Sequence, residues 1–310
     1  MSKVACVFPG QGLQSVGMGR DLYEAFPAAK AVFDQADKSL DFVISRLCFD
    51  GPEVDLRETI NAQPAILTAS YAALEAARAV AGARLPSPAF VAGHSLGEYT
   101  ALAAAGVIDF ATAVRLARER GRLMYEAGVV SPGGMTAIIS FDENTLAEVC
   151  RETGVWVVNI NCPGQLVVSG AREAVAKAGE LSKARGAARV IPLQVSGAFH
   201  TPLMQSAVDG MSKIIANLSF KDPAVPIIAN TTAQPLTTAA AVKEELMNQL
   251  CHCVQWQRSV EYMVSQGVTT FIEIGPGKVL TGLIKRISKD VQTLNLGDAA
   301  AIKNLANPSS

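Results

Sequence analysis

At 310 residues, with 49% apolar and 18% charged side chains and a formal net charge of −1, the chain can bury a large core. It carries no overall field that would attract nucleic acid or an anionic membrane. Arg, Glu, Gly or Pro break every Ala-rich helical pattern before it reaches bilayer length, so a membrane span is not expected. The six cysteines follow no repeating spacing, which argues for a reducing cytoplasm over a disulfide framework, and the short apolar start reads as a strand, not as a signal segment.

In chain order, a first strand over 4–8 ends in Pro9-Gly10-Gln11-Gly12, a loop whose small residues let backbone N–H groups approach a ligand. A second strand over 89–92 runs into Gly93-His94-Ser95-Leu96-Gly97 and then a helix opening near Glu98, the strand-turn-helix setting of a G-x-S-x-G nucleophile elbow. The glycines allow a strained turn that aims the Ser95 hydroxyl out of the sheet, at the helix N-terminus. A Gly-rich turn whose serine only caps the helix satisfies the same pattern. In a parallel sheet both loops open at the carboxyl edge, which makes the N–H groups of Gln11 and Leu96 candidate oxyanion donors. A plain structural turn accounts for Gly10-Gln11-Gly12 equally well.

The helix over 110–124 carries Arg115, Arg118, Arg120 and Arg122. At about 100° per residue, three share the polar side with Glu119, while Arg120 falls among Ala113, Leu116, Ala117 and Met124. A guanidinium in that apolar stripe needs an anion, either an internal Asp or Glu or a substrate carboxylate held by its planar fork.

Between 131 and 196 the texture changes to strand 135–140, helix 142–153, strands 155–160 and 166–169, helix 171–185 and strand 188–195. The order βαββαβ is ferredoxin-like, and Ser131-Pro132-Gly133-Gly134 and Ser196-Gly197 mark its ends. Further strands over 225–229, 269–274 and 292–296 alternate with helical patterns, as in an α/β domain with a parallel sheet. The chain thus reads as a large α/β domain from 1–130 and 197–306, an inserted small domain over 131–196, and a disordered polar tail over 307–310.

A catalytic serine needs a base, and there are three histidines. His94 adjoins Ser95 in a tight turn where successive side chains diverge. His252 lies between Cys251 and Cys253, but the other cysteines are too scattered to complete a structural zinc site, so no metal is expected. His200, in Gly197-Ala198-Phe199-His200, leaves the small domain on a loop able to overhang the elbow and is the favoured base. No Asp or Glu presents itself as the third member of a triad; a backbone carbonyl can hold the imidazole tautomer instead.

Several pieces stand in order along nearly the whole chain: Phe8-Pro9-Gly10-Gln11-Gly12, Gly93-His94-Ser95-Leu96-Gly97-Glu98-Tyr99, Arg120-Gly121, Asn159-Ile160-Asn161-Cys162-Pro163-Gly164-Gln165, Gly197-Ala198-Phe199-His200, Val254-Gln255-Trp256 and Glu273-Ile274-Gly275-Pro276-Gly277. Together they resemble the malonyl-CoA:acyl carrier protein transacylases. The resemblance implies a hydrolase-like large domain, Ser95 as nucleophile, His200 as base, Arg120 as carboxylate clamp, Gln11 and Leu96 as oxyanion donors, and no cofactor. It implies further that the Gln255 carbonyl holds the histidine and that Phe199 leaves little room for an α-methyl group. Cys253 departs from the family pattern, standing where a proline is usual before Val254. The implied partners are malonyl-CoA and acyl carrier protein, with a monomer as the expected state and Lys177, Lys183, Arg185 and Arg189 as the expected carrier-docking surface. A serine esterase or thioesterase and a non-catalytic docking module are the rival readings; neither requires a buried Arg120.

Overall fold

The computed structural model describes residues 3–306; the expected tail over 307–310 lies outside them. The strands are β1 (Lys3–Phe8), β2 (Phe90–Gly93), β3 (Gly133–Ile139), β4 (Trp156–Cys162), β5 (Gln165–Ala171), β6 (Arg189–Leu193), β7 (Ile227–Ile228), β8 (Pro235–Leu236), β9 (Val268–Ile274) and β10 (Gln292–Leu296). Six of them form one sheet in the order β10-β9-β1-β2-β7-β8, parallel except where β8 turns back antiparallel on β7. The two-residue β8 was not expected, because so short a strand shows no alternation in sequence.

Strand β1 lies inside that sheet and its side chains alternate between two apolar cores. Cys6 and Phe8 pack with the helices Pro27–Ser39, Thr59–Ala81 and Phe110–Val130. Ala5 and Val7 pack with Trp256, Val260, Leu280 and Ile284 from the helices Trp256–Ser265 and Val279–Ile287 on the other face. Burial on both faces is why β1 reads as a continuous apolar run, and each fully buried Phe or Leu side chain there contributes roughly 1.5–3 kcal/mol.

The other four strands form a separate antiparallel sheet in the order β4-β5-β3-β6, with helices Glu143–Thr153 and Arg172–Ala184 packed on one face through Leu146, Val149 and Val175. This is the ferredoxin-like arrangement read from the sequence. Its other face sends Met135, Ala137, Val158 and Val167 into the large-sheet core. Backbone pairing ties the two parts further: Val254 N–H donates to Val158 O at 2.8 Å and Ile160 N–H donates to Val254 O at 2.9 Å. The segment beside Cys253 is therefore held by a single parallel bridge between Val254 and Asn159, without the usual proline. Glu273, at the end of β9, accepts from the N–H groups of Leu280 and Thr281 and so caps the helix Val279–Ile287.

Candidate active site

Strand β2 delivers the chain into the elbow under severe crowding. A Cβ on Gly93 would overlap the Gly97 carbonyl, and one on Gly97 would overlap the Phe8 carbonyl, so only glycine fits at either place. Ser95 between them sits at φ 50°, in the left-handed region, and His200 at φ 61° does the same. The two meet: Ser95 Oγ lies 2.9 Å from His200 Nε2. Of the three histidines, His200 is thus the one the fold brings to the serine. His94 is half-buried, its ring 5.8 Å from that of Trp256 and its Nε2 2.8 Å from Asn161 Oδ1, and His252 is bonded to the Asn248 carbonyl at 2.7 Å. No group of three or more His, Cys, Asp or Glu able to hold a metal occurs among the described residues.

The acceptor behind His200 corrects an expectation. His200 Nδ1 lies 2.6 Å from the carbonyl of Gln249, not that of Gln255. The reason lies in where helices begin and end. Gln255 opens the helix Trp256–Ser265, and its carbonyl accepts from Ser259 N–H at 2.9 Å in the first turn. Gln249 follows the last residue of the helix Ala239–Asn248, where carbonyls have no intrahelical partner and remain open to a side chain. That carbonyl fixes the proton on Nδ1 and leaves the Nε2 lone pair facing Ser95. Burial, with the nearby charge of Arg120, depresses the His200 pKa to about 3.

Arg120 is 1% exposed and stands beside the serine, its Nη2 3.2 Å from Ser95 Oγ. It makes no ion pair among the described residues. Its guanidinium donates to the amide oxygens of Gln63 and Gln249, each at 2.7 Å, sits 5.2 Å from the Tyr99 ring centroid, and leaves Nε without a partner. Gln63 carries the connection on: its Nε2 donates to Thr59 Oγ1 at 2.9 Å, and Thr59 donates to Gln11 Oε1 at 2.8 Å. The backbone N–H groups of Gln11 and Leu96 have no partner among the described residues. Of the other three arginines of this helix, Arg115 is exposed, Arg118 is half-buried over the Phe42 ring and donates to Ile60 O at 2.8 Å, and Arg122 is paired to Glu119 and Glu126.

Below the elbow lies a polar network absent from the sequence reading. Asn230 Oδ1 accepts from Ser95 N–H at 2.7 Å, and its Nδ2 donates to Gly93 O at 2.7 Å. Gln249 Nε2 donates to Ser95 O at 3.0 Å and to Glu98 at 2.5 Å. Burial and the neighbouring Glu245 push the Glu98 pKa well above the ordinary carboxylate range, against the pull of Asn230, Gln249 and Arg120. Above the elbow opens a cleft of about 400 Å³, lined among others by Gln11, Arg120, Met124, Asn159 and Phe199. Asn159 Oδ1 is buried there without a partner. A larger groove of about 690 Å³, near Tyr71, Phe110 and Lys221, holds none of these groups.

A serine hydroxyl on a neutral imidazole, two free N–H groups beside it and a buried cation in the same cleft suit acyl transfer. Comparison with known proteins agrees. A family model described as an acyl transferase domain matches residues 5–304. The malonyl CoA-acyl carrier protein transacylase of Bacillus subtilis (strain 168) is 46% identical over 308 residues, covering 98% of this chain and 96% of the relative. The chain belongs to the malonyl-CoA:acyl carrier protein transacylases. The Escherichia coli (strain K12) transacylase is 44% identical over 306 residues, covering 97% of this chain and 98% of its own. Solved transacylase structures superpose throughout. An acyl carrier protein S-malonyltransferase from Vibrio cholerae gives a TM-score of 0.93 at 43% identity, covering 98% of this chain and all of that one. A malonyl-transacylase in complex with a type II PKS acyl-carrier protein gives 0.94 at 40%, covering 99% and 100%.

Proposed function

We propose that Ser95 carries a malonyl group from malonyl-CoA to the phosphopantetheine thiol of acyl carrier protein in two successive acyl transfers. His200 Nε2 takes the Ser95 proton as Oγ bonds to the thioester carbon, and the N–H groups of Gln11 and Leu96 receive the oxyanion. The carbon–sulfur bond then breaks and His200 returns the proton to the departing CoA thiolate. In the second half the carrier thiol gives its proton to His200 and its sulfur attacks the Ser95 ester carbon; the carbon–Oγ bond breaks, His200 returns the proton to Ser95 Oγ, and the malonyl group leaves on the carrier thiol. Arg120 binds the malonyl carboxylate in both halves, and Phe199 fills the space beside the α-carbon.

The observation that carries this reading is the position of Arg120: a buried cation 3.2 Å from the nucleophile, bonded only to neutral oxygens. An internal Asp or Glu partner would have made it structural, and an esterase would have no use for it. The reaction as written needs no metal or redox cofactor, and one chain supplies every group, so the working unit is taken as a monomer. With six free cysteines, and no described helix long and apolar enough to cross a membrane, the cytoplasm is the assigned compartment. The carrier is taken to dock on the exposed Lys177, Lys183 and Arg189 of the small domain, with Arg185 partly committed to Glu152.

Incubation with malonyl-CoA followed by peptide mapping should find a malonyl ester on Ser95, and Ser95→Ala should abolish it with the fold intact. A label elsewhere, or one that persists, refutes the assignment. Initial rates with both substrates varied should give parallel double-reciprocal lines, because CoA departs before the carrier arrives; intersecting lines mean a ternary complex.

A further inference from the structure

We infer that Glu98 is a positioning residue for substrate selection, acting through the side-chain amide of Gln249 on Arg120. The inference rests on Arg120 as the carboxylate-binding cation. Glu98 itself is 0% exposed and does not line the cleft, so it reaches no substrate.

An amide side chain has a donor end and an acceptor end of nearly the same shape, and only its neighbours decide which way round it lies. Gln249 must present its oxygen to Arg120, because a guanidinium only donates. Its nitrogen has two hydrogens, and both are used, one on the Ser95 carbonyl at 3.0 Å and one on Glu98 Oε2 at 2.5 Å. Turned over, the amide would set its oxygen against two oxygens and its NH2 against the guanidinium. The other Glu98 oxygen accepts from Asn230 N–H at 3.0 Å and from Asn230 Nδ2 at 3.1 Å. Asn230 is itself fixed, since its Oδ1 receives the Ser95 N–H. Each Glu98 oxygen thus faces only N–H groups, an arrangement that suits the carboxylate, which has no hydrogen of its own to place among them. One buried carboxyl group holds both amides that grip the elbow, and one of those amides holds Arg120.

Glu98→Gln keeps the size and tests the orientation. The new amide can serve Asn230 with its oxygen, but its NH2 then faces Gln249 Nε2, donor against donor. The Gln249 amide turns, and Arg120 loses its acceptor beside the serine. The malonyl-to-acetyl ratio of kcat/KM for enzyme acylation should fall at least tenfold, with the acetyl rate falling less than the malonyl rate. In an Arg120→Ala background the same substitution should change that ratio by less than twofold, since its route is already gone. An unchanged ratio, or an equal fall in both backgrounds, overturns the inference. Failure of the underlying reading shows separately, as an Arg120→Ala enzyme whose ratio matches the parent. If Glu98→Gln does not fold, Glu98→Asp keeps a carboxylate toward Asn230 while withdrawing it from Gln249. Its ratio should also fall tenfold, and a parental ratio there overturns the proposal equally.

Discussion

The two sides of the cleft are built on opposite plans. Behind Ser95, Arg120, Gln249, Glu98 and Asn230 are all buried and joined by hydrogen bonds between groups far apart in sequence. On the small-domain side, β6 is an edge strand with Ile191, Pro192 and Leu193 exposed, and the basic residues near it stand in water. In the first region water is excluded, and an atom of the wrong kind has no substitute partner. In the second, charge is screened and contacts are replaceable. On the proposed reading, chemistry and acid selection belong to the wall, and partner encounter to the rim.

The largest effect expected from breaking the wall, after loss of the nucleophile, is at the base. His200→Ala should slow single-turnover acylation by about 10²–10⁴-fold, the scale of a positioned general base, whereas His252→Ala should leave it unchanged. The same residue predicts a pH profile. Burial and Arg120 hold the His200 pKa down to about 3, from an ordinary value of 6.5. The imidazole is the active neutral base above its own pKa, and activity is lost as pH falls through it. The acid limb of kcat/KM should therefore lie well below 6.5, and a limb at 6.5 would mean that His200 is not held in this dry setting.

Arg120→Ala comes next and separates selection from chemistry. Removing one partner of a buried, charge-assisted contact costs about 2–5 kcal/mol, and each 1.4 kcal/mol is a factor of about ten. The malonyl-to-acetyl ratio of kcat/KM should thus fall by tens to thousands, with Arg120→Lys recovering part because an ammonium keeps the charge but not the planar fork. Equal loss of both activities would make the arginine structural. The smallest effect belongs to the rim. Reversing charge at Lys177, Lys183 and Arg189 should raise KM for the carrier by about threefold to tenfold at low salt, less at high salt, without changing acylation by malonyl-CoA. An unchanged KM removes the docking surface.

The residues legible in the sequence carry a local signal. Ser95 is announced by its flanking glycines, Arg120 by its place in a helical stripe, and His200 by there being three histidines to choose from. The two sheets were legible for the same reason, as each strand longer than two residues carries an apolar pattern of its own. Asn230, Glu98, Gln63 and Gln249 carry no such signal. Glu98 reads as an ordinary first-turn acid of a helix, and only the fold places Asn230, 132 residues away, against it. The assignment of the histidine-holding carbonyl to Gln255, taken from the resemblance, failed in the same way. The carbonyl that receives His200 is that of Gln249, and what separates the two glutamines is whether a helix starts or stops at the carbonyl.

The pairing of Val254 with Val158 and Ile160 runs across the seam between the two sheets, where Arg258 also bonds Glu143 at 2.7 Å and Arg286 bonds Gln165 at 2.7 Å. A seam stitched by backbone as well as side chains favours a slot already shaped before any thioester arrives. Discrimination then rests on preorganisation, with little of it left to induced fit. With Arg120 as the proposed carboxylate clamp, such a slot should reject an acyl group lacking the carboxylate strongly, because Arg120 is left without its anion, but should separate acids differing by one methylene only by about 10–200-fold. Engineering the enzyme toward bulkier acids should accordingly begin at Phe199, and engineering it toward uncharged ones at Arg120 together with the glutamines that hold it.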